Sequence, residues 1–123
     1  MNTLFIQSGL TPGNYYQFKL RARNYVGLSP FSRFVRIIAA SIPKPPINLK
    51  SAGSTTSSVT FTWNPNADNG GASVFDYAVY WDGGNANLPL AQFTEAQDTT
   101  YNLTTFTETS LTKGSYYRFA VQA

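Results

Sequence analysis

The sequence predicts an all-β chain folded as a β-sandwich, and three observations carry that expectation. Apolar side chains recur at every second position in short stretches: Tyr16, Phe18, Leu20 and Ala22 alternate with Gln17, Lys19 and Arg21. That period of two is the signature of a half-buried strand. The stretch is also written twice. Residues 1–22 align on 102–123 at an offset of 101 with nine identities: Thr3, Phe5, Leu10, Thr11, Gly13, Tyr15, Tyr16, Phe18 and Ala22. One strand plan at a fixed spacing marks a structural repeat, and this period suits a sandwich of about 100 residues. Finally, charged residues are only 12% while aromatics reach 15%, mostly Tyr and Phe among many Thr, Val, Ser and Asn. That mixture favours strands and turns. No window carries a helical apolar stripe, so no α-helix is expected.

The elements follow in order. Residues 3–7 read as a short strand ended by Ser8-Gly9, and Leu10 to Gly13 turns the chain into a strand over 14–23. Asn24 to Pro30 is a loop, because Asn and Gly tolerate positive φ and Pro30 restricts Ser29. Phe34–Ala40 is a further strand. Ser41 to Pro46 holds three prolines in four residues; these cannot donate ladder hydrogen bonds and prefer extended geometry, which makes a semi-rigid junction. Ile47-Asn48-Leu49 starts an edge strand, and Ser51–Ser57 reads as a turn. In Ser58–Trp63 the residues Val59, Phe61 and Trp63 share one face. Asn64 to Gly71 is a loop, Val74–Trp81 a strand with Tyr77 and Val79 inward, and Asp82-Gly83-Gly84-Asn85 a tight turn. Leu88–Phe93 reads as a shorter strand, Tyr101–Thr104 begins another, and the repeated strand over 115–123 follows, with Tyr117, Phe119, Val121 and Ala123 inward.

These residues, in this order, resemble the fibronectin type III family. Pro45-Pro46 and Leu49 look like its opening strand, and Trp63 its core tryptophan. Tyr77 and Val79 look like its third strand. Leu111 with Tyr117 looks like the leucine and corner tyrosine of its penultimate strand; Leu10 and Tyr16 repeat that pair, and Tyr16, Phe18, Leu20, Ala22, Asn24, Gly27 and Ser29 match the run into its last strand. The resemblance implies an immunoglobulin-like sandwich with a core of Trp63, Tyr77, Val79, Leu111, Tyr117 and Phe119, and of Leu10, Tyr16 and Phe18 in the earlier unit. Trp63 should fill the gap between the sheets, and the hydroxyls of Tyr16 and Tyr117 should each bond backbone near the turn before their strand. It implies that residues 1–40 are the last strands of one domain, 41–46 a Pro-rich junction, and 47–123 a second domain without its final strand. An incomplete sheet exposes an edge. Three arrangements would complete it: the adjoining repeat of a longer array, a strand from a neighbouring subunit, with Phe34, Val35, Arg36, Ile37 and Ile38 as the candidate donor, or Phe34–Ala40 folding back onto 42–123.

The composition also bounds the chemistry. There is no Cys and no His, which removes disulfides, thiolate sites, and the commonest general base and metal ligand. Asp68, Asp76 and Asp82 sit at loop ends, where Asp serves turns. Asn64, Asn66, Asp68 and Gly70 echo a calcium loop, but Phe75 stands where its bidentate acid belongs. The chain is read as non-enzymatic, with no cofactor and no metal. Asn102-Leu103-Thr104 is a candidate N-glycosylation triplet. Residues 1–50 hold seven Lys and Arg and no acid (+7), while 51–123 hold two against six acids (−4). Lys19, Arg21 and Arg23 alternate outward, with Tyr80 as the expected stacking partner. The bases are thinly spread and carry no nucleic-acid motif, and no apolar run approaches the roughly 20 residues of a membrane span. The expected role is structural: a repeat of an extended or filamentous, extracellular or cell-surface protein whose partners are adjoining repeats or identical subunits. The alternatives are an accessory module of a larger enzyme or receptor, and an intracellular cytoskeletal or ciliary scaffold.

Overall fold

The computed structural model describes residues 4–97 and 101–123. Its eight strands are all antiparallel, and the helical content among the described residues is one 3-10 turn, Leu90–Gln92. The chain divides into two compact units, Met1–Ile42 with Gly70–Ala72, and Pro43–Asn69 with Ser73–Ala123.

In the first unit β1 (Tyr15–Phe18) pairs with β2 (Val35–Ile38), Tyr15 opposite Ile38 and Phe18 opposite Val35. Phe34–Ala40 therefore finds its partner in β1; it does not fold back to complete 42–123. The regular ladder is shorter than the strand expected over 14–23. Beyond Phe18 the serine amides still donate, Ser32 N to Leu20 O (2.7 Å) and Ser29 N to Ala22 O (2.9 Å), but serine hydroxyls replace carbonyls as acceptors on the return, and Pro30 between them offers no N–H. Leu20 N donates to Ser32 Oγ (3.0 Å), which donates to Arg33 O (2.8 Å). Ala22 N donates to Ser29 Oγ (3.0 Å), which donates to Pro30 O (2.8 Å). Asn24 Oδ1 closes the tip by accepting from Val26 N and Gly27 N. Leu4–Gln7 is not a strand, and Thr3 lies outside the described residues. Its counterpart one repeat later, β7 (Thr105–Glu108), is held by pairing to β4 (Val59–Asn64).

The second unit is a sandwich. One sheet has the order β3-β4-β7, with β3 spanning Ile47–Ser54. The other has the order β6-β5-β8, from Thr94–Gln97, Ala78–Trp81 and Phe119–Gln122. Phe61, Trp63, Tyr77 and Val79 are buried between them, and Val74, Ala96, Phe106, Phe119 and Val121 pack around these four. Phe61 touches rings from both sheets, Phe106 at 5.6 Å and Phe119 at 4.9 Å, and Trp63 meets Tyr77 edge-on at 5.6 Å. Such tilted and edge-on aromatic pairs are the favoured geometries.

Four expectations fail locally. Ser51–Ser57 is not all turn: β3 runs to Ser54, and the turn closes through Thr55 N to Ser58 O (2.9 Å). An edge strand with little of either face covered needs no apolar alternation, so a run of small polar residues hid it. Strand β5 begins only at Ala78; Tyr77, although buried, has its amide bound by Asp76 Oδ1 (2.8 Å). Leu88–Phe93 is not a strand, because the Leu88 carbonyl is taken by the Arg118 guanidinium (2.7 Å) and Pro89 opens the 3-10 turn; the strand is β6. Tyr101 and Asn102 have positive φ, so the chain turns there and β7 starts at Thr105.

Candidate functional site

The same corner is built in both units. In the second, Gly114 has φ +82 and Ser110 φ +61, and the Tyr117 hydroxyl accepts Thr112 N at 3.0 Å. In the first, Gly13 has φ +86 and Gly9 φ +72, and the Tyr16 hydroxyl accepts Thr11 N at 2.9 Å. Even the short turn recurs, Ser115 N to Thr112 O at 3.2 Å and Asn14 N to Thr11 O at 3.3 Å. The Thr112 and Thr11 amides lower the pKa of these two phenols by stabilising the phenolate oxygen. Leu111 and Leu10 lie half-buried beside their corners, as do Phe119 and Phe18 on their strands. Trp63 and Tyr77 are each 2% exposed and Val79 is 0% exposed; burial raises the Tyr77 pKa.

The corner of the second unit forms one wall of an open cleft of 620 Å³, whose lining includes Leu49, Val59, Phe61, Leu111, Tyr117 and Phe119. The opposite wall is β3, whose side chains are all exposed. Both β3 and β8 end their sheets, so the mouth lies between two edges whose outward backbone groups meet no further strand among the described residues. An added strand is the ligand such an edge fits. The candidate donor Phe34–Ile38 is exposed through Ile37 and lies mostly in β2, which ends its own two-stranded sheet.

A clamp absent from the sequence reading orders the same sheet. Asp82, read as a turn residue, has a buried carboxylate that accepts Arg118 Nε (2.7 Å), Gly84 N (2.9 Å) and Arg118 N (3.2 Å). Burial pushes the Asp82 pKa up, but the Arg118 side chain, the Gly84 and Arg118 amides and the arginine charge outweigh it and hold the carboxyl below its ordinary value. Arg118 Nη2 also binds Asn85 O (3.1 Å). The pair is 36 residues apart and no spacing rule joins it; the one sequence clue is that Arg118 replaces Gln17 in the repeat. Gly84, at φ +86, must be glycine: a Cβ there would stand 3.0 Å from the Tyr117 ring.

The cationic residues of the first unit stack within their own hairpin and do not use Tyr80, which belongs to β5 opposite Ala120. Lys19 Nζ lies 4.1 Å and Arg21 Cζ 4.7 Å from the Phe31 ring centre, and Arg36 Cζ 4.0 Å from that of Tyr15. Arg23 forms an isolated bridge with Leu28. Asn102 is exposed in its turn. In the Asn64–Gly70 loop, Asn66 braces the chain by donating to Pro45 O (3.0 Å) and accepting Asp68 N (3.0 Å). Among the described residues no group of three or more Asp, Glu, His or Cys is placed to hold a metal, and no helix is long and apolar enough to cross a membrane.

Comparison with known proteins places these features. The profile described as "Fibronectin type III domain" matches residues 43–123. The chain is 36% identical over 94% of its length to chitinase A1 of Niallia circulans, of which it covers 16%. It is 30% identical over 97% of its length to exoglucanase B of Cellulomonas fimi, of which it covers 11%. It thus spans a small part of the relatives it matches. Among solved structures, domains A168–A170 of titin superpose with a TM-score of 0.70 at 23% identity, covering 92% of this chain and 36% of that one. Domains FN1–FN3 of chicken CNTN1 give 0.56 at 21%, covering 91% and 37%. At these identities the structural likeness speaks to the fold.

Proposed function

This chain belongs to the fibronectin type III family, whose domain is a non-catalytic module found in tandem arrays and attached to enzymes, and from that premise we propose that it is a non-enzymatic linking and interaction segment of a longer repeat protein. Residues 1–40 are the closing strands of one domain, 41–46 the junction, and 47–123 the next domain short of its last strand. The observation that carries this reading is the recurrence of the tyrosine corner at a 101-residue spacing, with hydroxyl bonds of 2.9 and 3.0 Å. A repeat array divides its stability among similar units that each contact mainly their neighbours, which suits an extended or filamentous object. The open edge at β8 is filled by the adjoining repeat in the same polypeptide; supply by a neighbouring subunit, through Phe34–Ile38, is the version in trans.

Intact-mass measurement and peptide mapping of the native polypeptide test this. Further 101-residue repeats are the expected result, and a chain with none overturns it. For the trans version, Ile37→Asp should abolish concentration-dependent self-association in sedimentation runs; association that persists removes that version. A second reading, an accessory module of a larger enzyme, is favoured by the two relatives of 36% and 30% identity, a chitinase and an exoglucanase. A catalytic segment in the native polypeptide would select it. An intracellular scaffold finds its support in myomesin-2 of Homo sapiens, 28% identical over 97% of the chain. An extracellular placement predicts a glycan on Asn102, read as a loss of mass after enzymatic deglycosylation.

A further inference from the structure

We propose that the open edge of β8 selects one bulged strand of the adjoining repeat, with the pattern hydroxyl-x-x-hydroxyl-x-x-β-branched-basic-β-branched; this rests on the array reading above. The first unit supplies the template. There Tyr16, Gln17 and Phe18 lie opposite Ile37, Arg36 and Val35. Further along, Leu20 N donates to Ser32 Oγ (3.0 Å) and Ser32 N to Leu20 O (2.7 Å). Ala22 N likewise donates to Ser29 Oγ (3.0 Å) and Ser29 N to Ala22 O (2.9 Å). Phe18, Leu20 and Ala22 advance by two residues while Val35, Ser32 and Ser29 advance by three. The return strand therefore carries one extra residue at each step, a bulge. At each bulge a serine hydroxyl reaches the amide that a carbonyl meets in a regular ladder.

The second unit presents the other half of this arrangement. At the 101-residue offset Tyr117, Phe119, Val121 and Ala123 stand where Tyr16, Phe18, Leu20 and Ala22 do. Asp82 N donates to Arg118 O (3.2 Å), so the backbone groups of Arg118 and of alternate residues after it face β5. Those of Phe119, Val121 and Ala123 point the other way, to the open edge, because β8 ends its sheet. A second observation concerns the basic position. Arg36 Cζ lies 4.0 Å from the centre of the Tyr15 ring, and Tyr15 is 57% exposed; its counterpart Tyr116 is 89% exposed. A basic residue opposite Arg118 covers that ring as Arg36 covers Tyr15. The Arg118 charge does not exclude it, since its guanidinium is drawn to Asp82 Oδ2 (2.7 Å) and Leu88 O (2.7 Å).

The probe is a synthetic peptide of residues 29–40, added to the whole chain and read by residue-resolved amide exchange. At saturation the Phe119 and Val121 amides should exchange about tenfold more slowly, and Tyr116 should react less with a nitrating reagent. Ser32→Ala in the peptide should keep Phe119 protected, release Val121, and weaken binding about two- to tenfold, the worth of one hydrogen bond. Arg36→Gln in the peptide should leave Tyr116 reactive. Deleting Phe34 from the peptide makes the step from Val35 to Ser32 regular, and Val121 should then stay unprotected. Any one of four results overturns the proposal: no protection at β8, protection of Phe18 and Leu20 in place of Phe119 and Val121, equal binding of the deleted peptide, or Val121 still protected by the Ser32→Ala peptide. Whether the native polypeptide carries further repeats is read separately by peptide mapping, so an absent repeat and an edge that refuses the peptide are different failures.

Discussion

Replacing Asp82 by Asn should destabilise the second unit by about 2 kcal/mol, although the change adds no volume. The carboxylate is buried and accepts three N–H groups, from Arg118 Nε at 2.7 Å, Gly84 N at 2.9 Å and Arg118 N at 3.2 Å. Asparagine keeps one acceptor oxygen for the two amides but turns an NH2 toward the Arg118 guanidinium, donor against donor. A hydrogen bond to a charged group is worth about 1.5–3 kcal/mol. The upper part of that range is discounted because the Arg118 side chain is 47% exposed and can rehydrate. Arg118→Met removes the partner and leaves the carboxylate its two amides, and the double variant should cost less than the sum of the singles by about 1 kcal/mol. The pH dependence has a definite sign. Because the folded Asp82 carboxyl sits below its ordinary value, its stabilisation is complete above the unfolded pKa of about 3.9 and is lost as pH falls through the lower folded value. Urea unfolding followed by tryptophan fluorescence, repeated from neutral pH downward, reads both effects. A D82N loss below about 0.5 kcal/mol, or additive single variants, would refute the clamp; so would an acid-induced loss that is the same in D82N as in the parent.

Trp63→Ala removes the side chain that meets Phe61 at 5.9 Å and Tyr77 at 5.6 Å, and should cost about 3–5 kcal/mol in urea unfolding. Trp63→Phe should cost far less, since the buried indole Nε1 has no hydrogen-bond partner among the described residues. Gly84→Ala should lower the melting temperature, because it forces a side chain to φ +86 and against the Tyr117 ring; Gly83→Ala, with open space around it, should be milder. Tyr117→Phe should speed exchange of the Thr112 amide, which then lacks its acceptor. In the parent chain the Thr112 amide should exchange more slowly than that of Thr11; equal protection would show that the corner is stable by itself.

What was legible in the sequence is what repeats or alternates. Val59, Phe61 and Trp63 at period two mark the buried face of β4, and the doubled Leu-Thr-x-Gly-x-Tyr-Tyr stretch marks both corners. The errors fall where side chains replace backbone. Around Pro30 the regular ladder gives way to a mixed one, in which Ser29 and Ser32 donate through their amides and accept through their hydroxyls, so strand-like sequence continues beyond the regular strand. Arg118 takes the carbonyls of Asn85 and Leu88, so an apolar stretch that reads as a strand is pulled into a turn. Neither substitution leaves a periodic trace, because each depends on a contact between distant or oppositely running segments. The edge strand β3 was missed past Leu49 for a related reason: a strand that buries little has no pattern to show.

The two corners separate local geometry from stability. Their hydroxyl bonds differ by only 0.1 Å, 2.9 against 3.0 Å, and both follow a turn with glycine at positive φ, Gly13 and Gly114. What surrounds them differs. The second unit has a core of Phe61, Trp63, Tyr77 and Val79, all buried, and the Tyr117 ring stacks on Trp81 at 6.0 Å. The hairpin of the first unit has no buried apolar side chain among its described residues, and Leu20, Phe34, Val35 and Ile37 are 69%, 62%, 53% and 52% exposed. An isolated two-stranded hairpin is at best marginally stable in water, since ordering each residue costs about 1–2 kcal/mol in backbone entropy that only burial offsets. The same local motif thus stands in two settings that differ in buried apolar surface, and slower exchange of the Thr112 amide than of the Thr11 amide is the difference that burial predicts.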